Sequence, residues 1–421
     1  MSNLIITGGS RLSGIIEVPG AKNAVLPVLA ATLLNNGISI LENCPELDDV
    51  LTMLEILSAL GCKIQKKGSR IEIDASSLTS SSIPEQLAKR MRSSIIILGA
   101  VLARCKEVLI CYPGGCEIGM RPIDMHLKAL KQMGAEIDGL KHGMLRVKAD
   151  KLQGCEILLD YPSVGATENI MLAACAAEGE TIIRNAAKEP EIEDLQEFLV
   201  NLGVNVAGGG TGVVRIKGRG EIKTESVHKI IPDRIVAGTY LSAAAAVGGS
   251  IVLTGVEYDH IGSIIYYLRR AGCKIKNYAG GVVTIESDGA INALDLVRTS
   301  PYPGFPTDMQ PQLVALLARA KGTSVIVETV FENRFRYTEQ LQKMGSDINV
   351  QGRTAIIRGV DRLKGASVEA RDLRGGAALI IAGLAAEGET TISQAGYIDR
   401  GYERVENVLS KVGAKIRRVE D

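Results

Sequence analysis

One structural unit is written six times along this chain, and no other feature limits the possible folds as strongly. An apolar, helix-like segment ends in a small polar turn and runs into β-branched residues. It reads Leu29-Ala30-Ala31-Thr32-Leu33-Leu34-Asn35-Asn36-Gly37-Ile38-Ser39-Ile40 and, again, Leu172-Ala173-Ala174-Cys175-Ala176-Ala177-Glu178-Gly179-Glu180-Thr181-Ile182. Further copies run from Leu241 to Leu253, Leu313 to Val327 and Ile380 to Ile392, with a degenerate one from Leu98 to Ile110. After each comes a second helix that stops at a glycine and passes into a strand: Leu60-Gly61-Cys62, Met133-Gly134-Ala135, Leu202-Gly203-Val204, Ala271-Gly272-Cys273, Met344-Gly345-Ser346 and Val412-Gly413-Ala414. Glycine at that position closes a helix in the left-handed region, which explains its place in every copy. The unit is helix, strand, helix and two further strands. It is too short to cover its own apolar faces, so three copies per domain and two α/β domains follow, with the chain crossing over at Ile230-Ile231-Pro232.

Composition removes several classes. Of 421 residues, 46% are hydrophobic, enough for real cores. No uninterrupted apolar run is long enough to span a bilayer, and the start Met1-Ser2-Asn3-Leu4-Ile5-Ile6-Thr7 lacks the pattern of a secretory signal. Eight dispersed cysteines with no C-x-x-C pair point to reduced thiols, a cytoplasmic protein and no structural zinc. Forty-eight basic and 48 acidic residues cancel, and aromatics are few, so the chain is expected to bind no nucleic acid and no membrane. Phosphate-loop and dinucleotide fingerprints are absent: Gly208-Gly209-Gly210 leads into the strand-like Val213-Val214-Arg215-Ile216 and reads as a turn. H-E-x-x-H is missing too. No metal and no cofactor are expected.

Two patterns carry chemistry. Superposed on their turn residue, the first helices of the copies begin at Lys22-Asn23, Arg92, Gly165, Arg234, Asp308 and Arg374. Helix N-termini present unpaired N–H groups and partial positive charge, and several here also carry a cation, so they suit a small anion. For Asp308, before Met309-Gln310-Pro311, simple capping is an equally good reading. The second pattern is the loop Pro113-Gly114-Gly115-Cys116-Glu117-Ile118-Gly119-Met120-Arg121-Pro122. Its glycines and prolines exclude a regular helix or central strand, and a guanidinium nearby lowers a thiol's pKa. Free cysteine is often a small core hydrophobe; this context favours a reactive one, as acid or nucleophile.

These segments resemble the enolpyruvyl transferases that act on UDP-N-acetylglucosamine. The resemblance rests on Gly20-Ala21-Lys22-Asn23, the Cys116 loop, Val164-Gly165-Ala166-Thr167, Glu189-Pro190-Glu191-Ile192, Phe305-Pro306-Thr307-Asp308-Met309-Gln310, Glu328-Thr329-Val330-Phe331-Glu332-Asn333-Arg334-Phe335 and Asp399-Arg400-Gly401-Tyr402-Glu403-Arg404, and so covers nearly the whole chain. It implies two inside-out α/β barrel domains, each of three β-α-β-α-β-β units. Residues 1–20 plus 231–421 would form one domain, and the inserted 21–230, with Cys116, the other. It implies addition–elimination between phosphoenolpyruvate and the sugar 3′-hydroxyl, in a monomer, at the first committed step of peptidoglycan synthesis. Cys116 matches the proton donor, and Asp308 the group proposed to take the hydroxyl proton. Lys22, Arg121 and Arg400 match residues that hold phosphoenolpyruvate, with Arg92 and Arg374 nearby and Asn23 and Arg334 making further contacts. Arg121, Pro122, Ile123, Asp124, Met125, Ser163, Val164 and Val330 match the UDP-sugar site. An activated thiolate there would also be the target of the phosphonate epoxide fosfomycin.

Two departures stand out. Tyr161-Pro162 replace a Lys-Val pair common in the family, and Gly375-Gly376 after Arg374 predict a looser helix start. The sister reaction on shikimate 3-phosphate lacks the Pro-Gly-Gly-Cys loop. A silent binding protein of the same fold would have no need of Cys116 or Asp308.

Overall fold

The computed structural model describes residues 2–112, 114, 123–139 and 143–420. The chain divides into two compact units, one built from residues up to 19 and from 232 onward, the other from residues between 20 and 231.

In both units the repeat takes one form, seen plainly in the third copy. Strand Glu156–Leu158 leads into helix Val164–Ala174, strand Glu180–Arg184, helix Pro190–Asn201 and the strands Asn205–Ala207 and Val213–Lys217. The first two strands pair in parallel, Ile183 opposite Ile157, because a helix connects them. The last strand lies antiparallel between its neighbours. Among the described residues, five sheets have four strands and one has three, matching the degenerate copy, whose first strand shrinks to a single bridge from Ser82 to Leu109.

The copies at the chain ends are completed by distant segments. Strand Leu12–Glu17 pairs in parallel with Gly249–Thr254, and Ser2–Thr7 lies antiparallel between Glu389–Ser393 and Lys415–Glu420. In the other unit, Ser226–Lys229 returns to pair with Ile38–Glu42. Each unit thereby closes its own set of three sheets.

The first helices of the copies lie inside. Helix Arg234–Val247 is buried from Ile235 to Ala246, Gln310–Leu317 throughout, and Leu373–Ala385 from Leu373 to Leu384; the three pack on one another. A helix apolar on every side has to be enclosed, and the sheets enclose it with one face in and one out, as the alternating burial of Val213–Lys217 shows. This is the inside-out arrangement. Close approach matters: a Cβ on Gly99 would fall 2.2 Å from the Asn169 carbonyl oxygen, so only glycine lets helix Ile97–Cys105 meet Val164–Ala174.

All six second helices end alike. Gly61, Gly134, Gly203, Gly272, Gly345 and Gly413 have φ between +83° and +108°. Each donates its N–H two carbonyls back from the helix end, while the next residue reaches one carbonyl further, as in Gly61 to Ser58 and Cys62 to Leu57. That is the Schellman closure.

Candidate active site

The inner helices start where the repeat places them, and their first turns hold the charged residues. In the unit containing the chain ends, Asp308 sits in the short turn Thr307–Met309 ahead of helix Gln310–Leu317. Its carboxylate faces two guanidinium groups: Arg334 Nη2 donates to Oδ1 at 3.0 Å, and Arg374 donates to Oδ2 through Nη2 at 3.0 Å and Nε at 3.2 Å. The two arginine side chains are 2% and 3% exposed, and the carboxylate is 28% exposed. One anion thus stands at the mouth of a buried cationic pair. Two guanidinium partners select the ionised form of a carboxyl group. Burial alone lowers the pKa of Arg374, but Asp308, then Tyr402 and Asp233, raise it overall, so it stays charged.

Neighbours fix this cluster. Arg334 Nη2 also donates to the Thr307 carbonyl at 3.1 Å and its guanidinium lies over the Phe331 ring at 5.7 Å. Arg374 lies over Tyr402 and donates to its hydroxyl at 3.3 Å, which also meets Thr239 at 2.8 Å and Gln312 at 3.2 Å. Glu328, fully buried beyond strand Thr323–Val327, accepts from the hydroxyls of Thr299 (3.0 Å) and Thr307 (2.9 Å) and from the N–H groups of Val330 (2.8 Å) and Phe331 (3.2 Å). It joins the Asp308 turn to the Val330 segment. The expected loose start at Gly375-Gly376 is corrected by the structure. Asp372 caps the helix through the N–H groups of Arg374 and Gly375, and a Cβ on Gly376 would meet Ile398 at 2.6 Å. The glycines allow tight packing there.

In the other unit, Lys22 opens helix Lys22–Ala31 and pairs through Nζ with Asp49 at 2.6 Å, both nearly buried, with half-buried Asn23 beside it. Arg92 begins the turn Arg92–Ile96, its pKa lowered by burial. Ser163 caps helix Val164–Ala174, its Oγ accepting from the Ala166 N–H at 3.4 Å, and Val164 packs against the core. Ile123 is buried, while Asp124 and Met125 open helix Asp124–Gln132. Beside them His126 is buried, its Nδ1 2.9 Å from Asn169 Nδ2, which also donates to the Ile95 carbonyl at 2.9 Å. Both Asn169 protons are then used, so His126 Nδ1 accepts and its proton sits on Nε2. Burial, then Arg92, pushes its pKa down to about 4.

Cys116, Arg121 and Pro122 lie outside the described residues. The seven thiols that are described are all free, and burial pushes every one up: Cys44, Cys62 and Cys175 to about 12, Cys273 to about 11, and Cys105, Cys111 and Cys155 upward too. None is a ready nucleophile. Arg400 directly follows the short helix Gly396–Asp399. Sequence reasoning missed Asp49, Glu328, Tyr402 and His126 as parts of the site. Glu328 and Tyr402 stand in quoted motifs, yet their partners are distant in sequence, and the Lys22–Asp49 pair leaves no local signal.

At inner-helix starts of the repeated α/β unit, then, Lys22 meets Asp49, and Arg334 and Arg374 meet Asp308, an arrangement of charges suited to small anionic molecules. A family model described as EPSP synthase (3-phosphoshikimate 1-carboxyvinyltransferase) matches residues 6–409. UDP-N-acetylglucosamine 1-carboxyvinyltransferase 2 of Caldanaerobacter subterraneus subsp. tengcongensis is 52% identical, with 100% of each chain covered. UDP-N-acetylglucosamine 1-carboxyvinyltransferase 1 of Carboxydothermus hydrogenoformans is 49% identical over 100% of this chain and 99% of its own. Among solved structures, the enolpyruvyl transferase NikO from Streptomyces tendae superposes with a TM-score of 0.90 at 26% identity, covering 99% of both chains. EPSP synthase from Acinetobacter baumannii shares the fold, with a TM-score of 0.78 at 20% identity over 100% of both. The chain belongs to the EPSP synthase family of enolpyruvyl (1-carboxyvinyl) transferases. Among the described residues, no helix is long and apolar enough to cross a membrane.

Proposed function

We propose that this chain transfers the enolpyruvyl group of phosphoenolpyruvate to the 3′-hydroxyl of UDP-N-acetylglucosamine, the first committed step of peptidoglycan synthesis. The observation that carries this reading is the full-length identity of 52% to a relative named for that reaction. The charged first turns support it. The 3′-oxygen attacks C2 of phosphoenolpyruvate while C3 takes a proton from Cys116, and Asp308 accepts the hydroxyl proton, as an ionised carboxylate within reach is able to do. The tetrahedral adduct then loses a C3 proton, the bond from C2 to the phosphate oxygen breaks, and inorganic phosphate leaves an enol ether.

Lys22, Arg121 and Arg400 hold the phosphoenolpyruvate anion, with Arg92 and Arg374 adding positive charge and Asn23 and Arg334 further contacts. Planar guanidinium groups suit two-point binding of carboxylate and phosphate. Residues 121 to 125, Ser163, Val164 and Val330 take the UDP-sugar. The reading keeps the enzyme a monomer, as the family resemblance implies, and phosphorylated substrates fit a cytoplasmic reaction. The shikimate 3-phosphate reaction is the weaker reading, since EPSP synthase from Acinetobacter baumannii, 20% identical, shares the fold alone.

Phosphate release from phosphoenolpyruvate, with and without UDP-N-acetylglucosamine, tests the proposal in the wild type and Cys116→Ser. Release should require the nucleotide sugar and fall sharply in the variant. No release from an enzyme that still binds the sugar nucleotide would replace the reading with a silent binding protein. Because burial suppresses all seven described thiols, fosfomycin should add once, at Cys116; intact-mass spectra with two adducts or none would count against the assignment.

A further inference from the structure

Asp399, next to Arg400, has no part in the chemistry above, yet it belongs to a densely bonded polar cluster apart from Asp308. Arg418, on the last strand Lys415–Glu420, forks onto it: Nη1 donates to Oδ2 at 2.9 Å and Nη2 to Oδ1 at 2.7 Å. Arg418 Nε and Nη2 also donate to Glu406 Oε1 and Oε2 at 3.0 Å and 3.1 Å, and Nη1 donates to Ser2 Oγ at 3.0 Å. A guanidinium has five N–H donors, and all five are used here, on three segments.

We propose that Arg418 is a positioning residue for Arg400, acting through Asp399 on the phosphoenolpyruvate-binding cation; this rests on the role given to Arg400 above. Asp399 ends the helix Gly396–Asp399 and Arg400 continues its helical backbone at φ −65° and ψ −18°. Successive side chains on a helix point about 100° apart, so fixing the Asp399 carboxylate sets the direction in which Arg400 leaves the chain. The far side is fixed as well. Tyr402 is anchored through its hydroxyl to Thr239 and Gln312, and a Cβ on Gly401 would meet Leu373 at 2.7 Å. Arg400 is therefore carried between two clamped residues, and Arg418 is the clamp on one side. The Arg418, Asp399 and Glu406 side chains are only 20%, 29% and 11% exposed, so the cluster contributes stability as well as direction. The bidentate fork fixes direction, which a lysine point charge does not.

The test compares KM for each substrate, with the other saturating, in wild type, Arg418→Gln, Arg418→Lys, Asp399→Asn and Arg400→Ala, each assayed well below its melting temperature. Arg418→Gln and Asp399→Asn should each raise KM for phosphoenolpyruvate about tenfold, the scale of one charge-assisted hydrogen bond, with KM for UDP-N-acetylglucosamine nearly unchanged. Arg418→Lys should fall in between, and Arg400→Ala should exceed all three. A lowered melting temperature with an unchanged KM for phosphoenolpyruvate would make Arg418 a structural tie and overturn the proposal. If Arg400→Ala shifts that KM and the Arg418 and Asp399 variants do not, only this proposal falls; if Arg400→Ala leaves it unchanged, the role of Arg400 falls and this proposal with it. Should Arg418→Gln not fold, Asp399→Asn, which removes the charge at nearly constant size, carries the same decision.

Discussion

Burial sets the chemical state of His126, and at Asp308 it decides what a mutation would measure. Removing Asp308 outright would leave Arg334 and Arg374 buried and facing each other, a loss on the order of 3–5 kcal/mol by analogy with broken buried pairs. A drop in activity of Asp308→Ala would then mix stability with chemistry. Cleaner evidence comes from His126, whose pKa of about 4 lies below the usual 6.5 because burial and Arg92 oppose its charge. The unfolded chain therefore takes up a proton there before the folded one does. Stability linked to this residue is intact above pH 6.5 and is lost as pH falls toward 4, by about 3 kcal/mol at 1.36 kcal/mol for each unit of pKa. In His126→Asn, whose oxygen is placed to accept from Asn169 Nδ2, that part of the acid limb should vanish. Urea unfolding at pH 7 and pH 4 for both proteins measures it; equal pH slopes would mean that His126 is not held neutral.

At the scale of elements, the repeat explains both its regular copies and its imperfect one. Four of the first-helix turns use a glycine with positive φ: Gly179, Gly248, Gly322 and Gly388. The degenerate copy uses Lys106, at φ +64° and ψ −7°, where an L side chain is strained. Its N–H still closes the helix onto the Leu102 carbonyl at 2.9 Å. Lys106→Gly should therefore stabilise the protein by roughly 0.5–1 kcal/mol, relief of strain outweighing the added freedom of the unfolded chain. A higher urea midpoint at unchanged slope would establish this, and a lower midpoint would show that the lysine side chain makes up for its backbone. The six Schellman closures were legible in the sequence because a left-handed residue after a helix is a local requirement that glycine meets. The tightness at Gly375-Gly376 was not, because it comes from Tyr337 and Ile398, side chains brought in from elsewhere in the chain.

For the molecule as a whole, closure of each unit by remote strands makes a prediction about autonomy. All sheets of the inserted unit draw their strands from within residues 20–231, since Ser226–Lys229 returns to Ile38–Glu42. A fragment of residues 20–231 should fold alone and melt cooperatively by circular dichroism, whereas a chain lacking residues 2–7 should lose the strand between Glu389–Ser393 and Lys415–Glu420 and with it a cooperative transition. A non-cooperative melt of the fragment would show that the unit depends on the rest of the chain. The amino-acid sequence by itself determined the repeat, the six copies, the ends of the helices and the residues at the inner-helix starts. Those are local matters of periodicity, backbone angle and residue type, readable over a dozen positions. Only the tertiary structure decided that Asp308 faces Arg334 and Arg374, that Asp49 holds Lys22, that Glu328 ties two site segments together and that the first strand of the chain lies between two of the last. Each of these joins residues far apart in sequence, and such partners are chosen by which surfaces the buried inner helices bring together, a choice that no local pattern records.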